Sequence, residues 1–153
     1  MKNEKLVEGD SLPEFELKNQ EGELVKIKDY IGRPLVIYFY PKDDTPGCTR
    51  EACSFRDSYE AFTDAGCEVF GISGDSVAKH KKFKEKHRLP FQLLADEGNK
   101  IRKQFGVPTN LLGLLPGRVT YIINKEGKVA KIFNSQIQAE KHVSEALEGI
   151  RNS

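Results

Sequence analysis

The sequence predicts an α/β fold: a three-layer α/β/α domain with a mixed central sheet. Segments with strand-like and helix-like patterns alternate through the middle of the chain, which is typical of a parallel core sheet. Apolar runs flank a turn near the start, and a second hairpin pattern precedes the last helix, so antiparallel strands are also expected. The length of 153 residues predicts a single domain over residues 1–153.

The first elements are strands. The segments Phe15–Leu17 and Leu24–Ile27 flank the turn Asn19–Gly22 and predict an amino-terminal hairpin. Leu35–Tyr40 is a continuous apolar run rich in aromatic and β-branched residues, which is typical of a strand covered on both faces. Pro41 ends that strand.

A long helix is expected next. Its candidate caps are Asp43, Asp44 and Thr45, and Pro46 suits the first helical turn. One face of this helix is apolar and comprises Ala52, Phe55, Tyr59 and Phe62. Gly66 is the expected stop signal.

The remaining elements continue the alternation and then close with a hairpin and a helix. They are a strand at Cys67–Ile72, a helix from Asp75 or Ser76 to about Arg88, a strand at Phe91–Leu94, a short helix at Glu97–Phe105, hairpin strands at Val119–Ile123 and Lys128–Phe133, and a helix at Ala139–Ile150. A thioredoxin-like arrangement ends in this way, with two strands and a helix, so that fold is the expectation.

The net charge and the number of cysteines exclude some classes of function and of cellular compartment. The chain carries 24 Lys and Arg against 23 Asp and Glu, for a net charge of +1, so no overall field attracts nucleic acid or an anionic membrane. Three cysteines are too few for a disulfide scaffold, which favours a reducing compartment. We find no apolar leader and no run near the roughly 20 residues of a membrane span. We therefore expect a cytoplasmic protein that binds neither nucleic acid nor membranes.

Cys48 carries the clearest chemical signal. It lies in the first turn of the predicted helix, where unpaired N–H groups and the positive helix end stabilise a thiolate, the nucleophilic form. Thr45 can turn its hydroxyl toward the sulfur or a bound oxygen, Pro41 stiffens the turn, and Gly47 lets the backbone approach a ligand. A buried cysteine that only packs is the alternative, but the convergence of these residues favours a reactive Cys48.

Cys53 follows five residues later and cannot reach Cys48 in an intact helix. Five residues give a rise of ~7.5 Å and a rotation of about 140°, which separates the two Cα atoms by ~8.5 Å. A disulfide rarely spans more than about 7 Å between Cα atoms. A bond between these sulfurs therefore requires the helix start to unwind. The spacing is not Cys-x-x-Cys, and a core position remains the alternative for Cys53.

Phe39–Phe55 reads Phe-Tyr-Pro-Lys-Asp-Asp-Thr-Pro-Gly-Cys-Thr-Arg-Glu-Ala-Cys-Ser-Phe. This segment resembles the active-site segment of the peroxiredoxins and is most similar to the PrxQ group, also called bacterioferritin comigratory proteins. It contains the Pro-x-x-x-Thr-x-x-Cys pattern, a Glu three residues after the cysteine and a second cysteine five after it. The order of elements matches the thioredoxin-like fold of that family, so the resemblance covers essentially the whole chain.

The resemblance implies a thiol peroxidase of the atypical 2-Cys type that needs no cofactor. Cys48 would be the peroxidatic cysteine, which attacks a hydroperoxide and becomes a sulfenic acid, and Cys53 would be the resolving cysteine. The family also uses an arginine from a late strand, and Arg118 occupies that place. Its guanidinium can favour the thiolate and hold the peroxide oxygens, with Glu51 orienting it and Thr45 completing the pocket. Without the resemblance, the plainer interpretation of Arg118 is a solvated arginine at the start of a strand. The plainer interpretation of Glu51 is a carboxylate in the first turn of a helix, where the helix dipole favours negative charge.

The resemblance also implies partners. Hydrogen peroxide or an alkyl hydroperoxide would be the substrate, and thioredoxin or a similar dithiol protein would reduce the disulfide by exchange. We expect a monomer or a weak homodimer. The alternative function is a redox-sensing binding protein, in which the same Cys48–Cys53 switch changes a partner surface.

Other candidate groups have plainer interpretations. Cys67 begins a strand with no helix end to activate it, so we interpret it as structural. The basic run Lys79–Arg88 is expected to cover the solvated face of a helix. We find no compact four-ligand spacing and therefore predict no metal site. The leucine-rich segment Leu111–Leu115 is compatible with packing over the site, with access for apolar hydroperoxides or with a dimer contact.

Overall fold

A computed structural model describes residues 5–110 and 115–152 of the chain. The strands are β1 (Glu16–Asn19), β2 (Leu24–Lys26), β3 (Leu35–Phe39), β4 (Glu68–Ser73), β5 (Gln92–Ala95), β6 (Thr109–Asn110), β7 (Leu115–Pro116), β8 (Val119–Ile123) and β9 (Val129–Asn134). The helices are α1 (Pro46–Asp57), α2 (Tyr59–Asp64), α3 (Val77–His87), α4 (Lys100–Phe105) and α5 (Ala139–Arg151), and a 3-10 helix spans Ile27–Tyr30.

A seven-stranded mixed sheet forms the middle layer, in the order β2-β1-β5-β4-β3-β8-β9. The three central strands are parallel, and Ile37 of β3 lies opposite Phe70 of β4. The two predicted hairpins extend this parallel centre with antiparallel strands: β1 pairs with β5 and β8 pairs with β3. All five residues of β3 are buried, because helices or the amino-terminal segment cover both faces of the sheet. The predicted mixed sheet is therefore confirmed.

The side chains of β3 divide between two hydrophobic clusters, one on each face of the sheet. Val36 and Tyr38 face a cluster that includes residues of α1, α3 and α5. Leu35 and Ile37 face a second cluster formed with α4 and the amino-terminal segment. Strict alternation along β3 thus builds two cores, and α1 is pressed against the first of them.

The predicted first helix differs from the structure in its length. It is interrupted at Ser58, whose φ of −105° and ψ of 4° lie outside the helical range. The Ser58 N–H still bonds back to the carbonyls of Ser54 and Phe55, so the chain makes a tight turn before α2. The spacing of the apolar residues predicts one long helix, because Phe55 and Phe62 both reach the core. A short break between two helices leaves that spacing unchanged.

Other differences are small. β6 and β7 form a separate two-stranded ribbon that the sequence does not predict, and α4 begins at Lys100 rather than at Glu97. Residues 111–114 of the leucine-rich segment lie outside the described residues. Within the described ranges, no helix is both long enough and apolar enough to cross a lipid bilayer.

Candidate active site

Cys48 is the third residue of α1 and is buried, with 1% of its surface exposed. Thr45 is the N-cap and has extended backbone angles, and Pro46 opens the helix. The Thr49 N–H closes the first helical hydrogen bond onto the Thr45 carbonyl. The N–H groups that precede it have no helical partner, so they and the positive helix end favour negative charge on the Cys48 sulfur.

Arg118 immediately precedes β8 and is buried as well, with 4% of its surface exposed. Its Nη1 donates to Glu51 Oε1 at 2.7 Å, and its Nε donates to the Gln136 carbonyl at 3.1 Å. Burial opposes the charged guanidinium, but the charges of Glu51 and of the Cys48 sulfur and the hydrogen bond to Glu51 raise the pKa of Arg118 above its ordinary value. The structure therefore brings a permanent positive charge to Cys48.

Gly47 makes room for that guanidinium. A Cβ atom at this position would lie 3.0 Å from Arg118 Nη2, which is closer than ordinary van der Waals contact. The missing side chain thus permits the close approach of Arg118 to the start of α1.

Glu51 lies one turn beyond Cys48 and is completely buried. Burial raises the pKa of its carboxyl to about 8, and the charge and hydrogen bond of Arg118 only partly offset that rise. Among the described residues, Glu51 Oε2 has no hydrogen-bond partner. It faces His142 Nδ1 at 3.5 Å.

His142 belongs to α5 and is a neighbour of the site that the sequence did not single out. Its Nε2 donates to the Ser135 carbonyl at 2.7 Å, and its Nδ1 lies 2.7 Å from Thr120 Oγ1. Burial lowers the pKa of His142 to about 4, despite the Ser135 carbonyl, and Arg118 lowers it further. The only signal for its position in the sequence is its place beside the inward-facing Val143.

Thr45 has a fixed hydroxyl. The group is half-buried and donates to the Lys42 carbonyl at 2.9 Å. Because its hydrogen is donated to a backbone carbonyl, the Thr45 hydroxyl can only accept a hydrogen bond from a ligand, through the lone pairs of its oxygen. The sequence predicted a hydroxyl aimed at the sulfur or at a bound oxygen, and the structure limits that role to accepting a hydrogen bond.

The loop between β3 and α1, which contains Pro41, is anchored by a buried polar network. Asp43 accepts from the Tyr40 hydroxyl at 2.5 Å and lies 2.7 Å from His80 Nδ1. The Asp43 N–H donates to Asp75 Oδ2 at 2.8 Å, and His80 Nε2 bonds to the Leu94 carbonyl at 3.0 Å. The sequence predicted Asp43 only as a possible helix cap and placed His80 within a basic run.

Asp43, Asp75 and His80 also carry ligand atoms within 4.8 Å of one another, as a metal site would require. Each of these groups already makes hydrogen bonds to its neighbours, and Asp75 also accepts from the Ser73 hydroxyl at 2.6 Å. The trio therefore acts as a structural clamp on the active-site loop.

Arg102 supplies a second anchor from α4. It is buried, and it donates to the Gly117 carbonyl at 2.7 Å and to the Tyr40 carbonyl at 2.6 Å. It therefore links the end of β3 to the residue just before Arg118. The sequence did not predict this role, because a single arginine in a short helix has no distinctive spacing.

The other two cysteines differ in their surroundings. All three cysteines are free thiols, with Cys53 half-buried and Cys67 buried. Cys53 lies in the intact α1 with Cys48. Burial, with Glu68 adding to it, raises the pKa of Cys67 to about 12, which supports its interpretation as a structural residue.

Comparisons with known proteins show similarity in sequence and in fold. A sequence model of the AhpC/TSA family matches residues 8–132. A relative from Oryza sativa subsp. japonica, named peroxiredoxin Q, chloroplastic, is 57% identical over 143 residues. The match covers 94% of this chain and 66% of the rice protein, so this chain spans just under two thirds of that relative.

Solved structures show the same fold. Peroxidoxin BcpB from Mycobacterium tuberculosis is 37% identical with a TM-score of 0.88, and the match covers 96% of this chain and 97% of that one. The bacterioferritin comigratory protein of Xanthomonas campestris, which is described as having alkyl peroxide reduction activity, is 29% identical with a TM-score of 0.83, and the match covers 94% of this chain and 98% of that one. The predicted thioredoxin-like fold is confirmed by these structures.

The comparisons also correct the prediction of a cytoplasmic protein. That prediction is wrong, because the rice relative and those from wheat and Sedum lineare are all named chloroplastic. Few cysteines and a balanced charge indicate a reducing compartment, but they do not distinguish one reducing compartment from another. The family prediction, in contrast, is confirmed: the chain belongs to the AhpC/TSA family and, within it, to the peroxiredoxin Q group.

Proposed function

We propose that this chain is a thiol-dependent peroxidase that reduces hydrogen peroxide and organic hydroperoxides, with Cys48 as the nucleophile. The observation that carries the proposal is the position of Arg118: its buried guanidinium lies against the start of α1, where a Cβ on Gly47 would be 3.0 Å from Nη2, and its charge attracts the Cys48 sulfur. Glu51 and the Gln136 carbonyl fix that guanidinium from two further directions. The family comparisons support an enzyme over a redox-sensing binding protein.

The reaction follows from the charges at the site. The Cys48 thiolate attacks the terminal oxygen of the hydroperoxide, so the S–O bond forms as the O–O bond breaks. Negative charge moves from the sulfur to the leaving oxygen, where Arg118 and the N–H groups at the start of α1 stabilise it. The Thr45 oxygen can accept a hydrogen bond from the hydroperoxide O–H, because its own hydrogen is donated to the Lys42 carbonyl, and this contact would orient the substrate.

Cys53 is proposed as the resolving cysteine. The Cys53 sulfur would attack the sulfur of the Cys48 sulfenic acid, so that the S–S bond forms as the S–O bond breaks, and the displaced oxygen would leave as water with the proton that the Cys53 thiol gives up. Both cysteines lie within the intact α1, which separates the Cα atoms by ~8.5 Å. The helix start must therefore unwind before the sulfurs can bond, as in an atypical 2-Cys mechanism.

A dithiol protein such as thioredoxin is the proposed reductant, because thiol–disulfide exchange returns both cysteines to thiols without a bound cofactor. We further propose that the chain acts as one domain and as a monomer or weak homodimer. Pro41 and Gly47 have supporting roles, since Pro41 opens the active-site loop and Gly47 admits Arg118.

Peroxide consumption in the presence of thioredoxin and its reductase tests the proposal. We expect sustained turnover by the unchanged chain and none by Cys48→Ser, because a serine hydroxyl without a partner base is a poor nucleophile. Cys53→Ser should form the sulfenic acid once and then stall or over-oxidise. Cys67→Ser is the matched control and should turn over almost normally.

Mass spectrometry of the oxidised chain completes the test. We expect a link between Cys48 and Cys53 within one chain and a free Cys67. A link from Cys48 to Cys67, or a link between chains, would remove Cys53 from the mechanism and leave Cys48 as the nucleophile. A single oxidation that recycles slowly with thioredoxin would instead indicate a sensor.

A further inference from the structure

Two hydrogen-bond acceptors face each other behind Arg118. Glu51 Oε2 lies 3.5 Å from His142 Nδ1 and, among the described residues, has no hydrogen-bond partner. His142 Nε2 must carry a hydrogen, since it contacts the Ser135 carbonyl at 2.7 Å and a carbonyl can only accept. In a neutral ring, Nδ1 then carries no hydrogen, and its lone pair accepts a hydrogen bond from the Thr120 hydroxyl at 2.7 Å.

An ionised Glu51 would be poorly accommodated here. One oxygen of its carboxylate would point at the Nδ1 lone pair in a completely buried place, where an unpaired charged atom is costly. One additional proton removes the conflict, either on Glu51 Oε2 or on His142 Nδ1. Burial raises the pKa of Glu51 to about 8 and lowers that of His142 to about 4, and both shifts favour the proton on Glu51.

The charges around the pair support the same assignment. From α1, the pair faces Cys48, and from the segment before β8 it faces Arg118. The nearest ionisable group of β3, Tyr38, turns its hydroxyl toward Gly71 of β4, and burial keeps it neutral by raising its pKa. A Cys48 thiolate and an ionised Glu51 would give two negative charges against the one positive charge of Arg118. With Glu51 protonated, the thiolate and the guanidinium balance.

We propose that Glu51, backed by His142, holds the proton that Cys48 loses and returns it to the leaving oxygen of the hydroperoxide. This inference rests on the proposed peroxidase function. Cys48 and Glu51 are three residues apart on one helix face, which places their side chains about 5–6 Å apart at Cβ, close enough for exchange directly or through a bound hydroperoxide.

Every proton and electron pair in this reaction is supplied by the site or by the hydroperoxide. The Cys48 thiol gives its proton to Glu51 and becomes the thiolate. The thiolate donates an electron pair to the terminal peroxide oxygen, the O–O bond breaks, and the alkoxide takes the proton from Glu51 and leaves as the alcohol. The products are a neutral sulfenic acid and a Glu51 carboxylate paired with Arg118, so the buried site stays neutral at each stage.

His142 is the positioning residue in this arrangement. The Ser135 and Thr120 contacts fix the plane of its ring, and the edge of Phe133 packs against it with centroids 4.7 Å apart. Its Nδ1 lies on the side of Glu51 that faces away from Arg118. The ring therefore directs the proton to Oε2 and leaves Oε1 to hold the guanidinium.

Infrared difference spectroscopy tests the inference directly. The experiment uses the Cys53→Ser chain, in which oxidation stops at the sulfenic acid, and adds one equivalent of hydrogen peroxide. We expect the reduced protein to show the carbonyl stretch of a protonated carboxyl, with a shift in deuterated water, and we expect this band to disappear on oxidation. Glu51→Gln should lack the band, whereas Glu140→Gln, which removes an exposed carboxylate paired with Arg50, should retain it.

A second variant keeps the test independent of how well Glu51→Gln folds. His142→Phe removes the Nδ1 atom that Glu51 Oε2 faces at 3.5 Å, so the carboxyl band should move because its polar neighbour is replaced by an apolar ring. The inference is overturned if the reduced protein lacks the band, or if the band persists while peroxide is consumed. If no peroxide is consumed, the peroxidase function fails as well, so the two failures are distinguishable.

Discussion

Arg118→Ala removes the positive charge from Cys48 and is the most informative single substitution. In the structure, the guanidinium bonds to Glu51 and to the Gln136 carbonyl, and its charge attracts the Cys48 sulfur. In the proposed reaction, the negative charge on that sulfur is the one that moves to the leaving oxygen. We therefore expect the rate of peroxide reduction to fall about 10²–10³-fold, the usual loss for one preorganised donor.

The expected cost in stability is smaller than for most buried ion pairs. Without Arg118, the carboxyl of Glu51 loses the charge that lowers its pKa, so it stays protonated and leaves no buried charge behind. The remaining cost is that of hydrogen bonds lost in the core, about 1–3 kcal/mol. The variant should therefore remain folded, and its slow reaction can be attributed to the site.

Rapid-mixing kinetics of a single oxidation, followed by the loss of reduced thiol, measures the effect. Arg50→Ala is a matched control, because Arg50 lies on the same helix, is exposed and pairs with Glu140 at 3.6 Å. We expect its rate to be within about twofold of the unchanged chain. A folded Arg118→Ala protein that reacts within about threefold of the unchanged rate would refute a role for this guanidinium as a preorganised donor.

Three further predictions concern α1 and its neighbours. Disulfide formation should reduce hydrogen-exchange protection across α1, and equal protection in both redox states, with the disulfide confirmed by mass, would contradict the need for unwinding. Gly47→Ala should slow peroxide reduction about tenfold by displacing Arg118, yet raise helix stability by up to about 1 kcal/mol; unchanged kinetics would show that the guanidinium adjusts without loss. The carboxyl of Glu51 binds its proton more tightly when folded, so its contribution to the free energy of unfolding should fall as pH rises from 4.5 to about 8. Urea unfolding of Glu51→Gln should lack that decline, and parallel pH curves for the two proteins would refute the raised pKa.

Much of the fold follows from local patterns. The alternation of apolar runs and helical faces predicts β3, β4 and β5 as a parallel core, and the turn at Asn19–Gly22 predicts the hairpin of β1 and β2. The position of Cys48 in the first turn of α1 is also local, since a buried strand, a proline and a threonine cap suffice to place it. These features depend on neighbours in sequence, which a single sequence displays.

The supporting contacts of the site are long-range and could not be predicted in the same way. Glu51 and Arg118 are 67 residues apart in sequence, and their pairing was expected only through the family resemblance. His142 contacts Thr120 across 22 residues, and His80 contacts Asp43 across 37. In the sequence each histidine lies among lysines or apolar residues, and nothing local distinguishes a buried, hydrogen-bonded imidazole from an exposed one.

The helix that carries both proposed redox cysteines is held at two fixed points. On one side, Asp43 is clamped by His80, and on the other, α1 ends at Ser58 with Phe55 stacked on Tyr38 at 4.5 Å. Melting between these points frees a tether about ten residues long whose ends stay in place, and closing a loop of that size takes about 10–100 ns. Such a short search is far faster than collective motions of microseconds to milliseconds. If the proposed disulfide forms, the frequency with which α1 opens would therefore limit its formation more than the time that the two sulfurs need to meet.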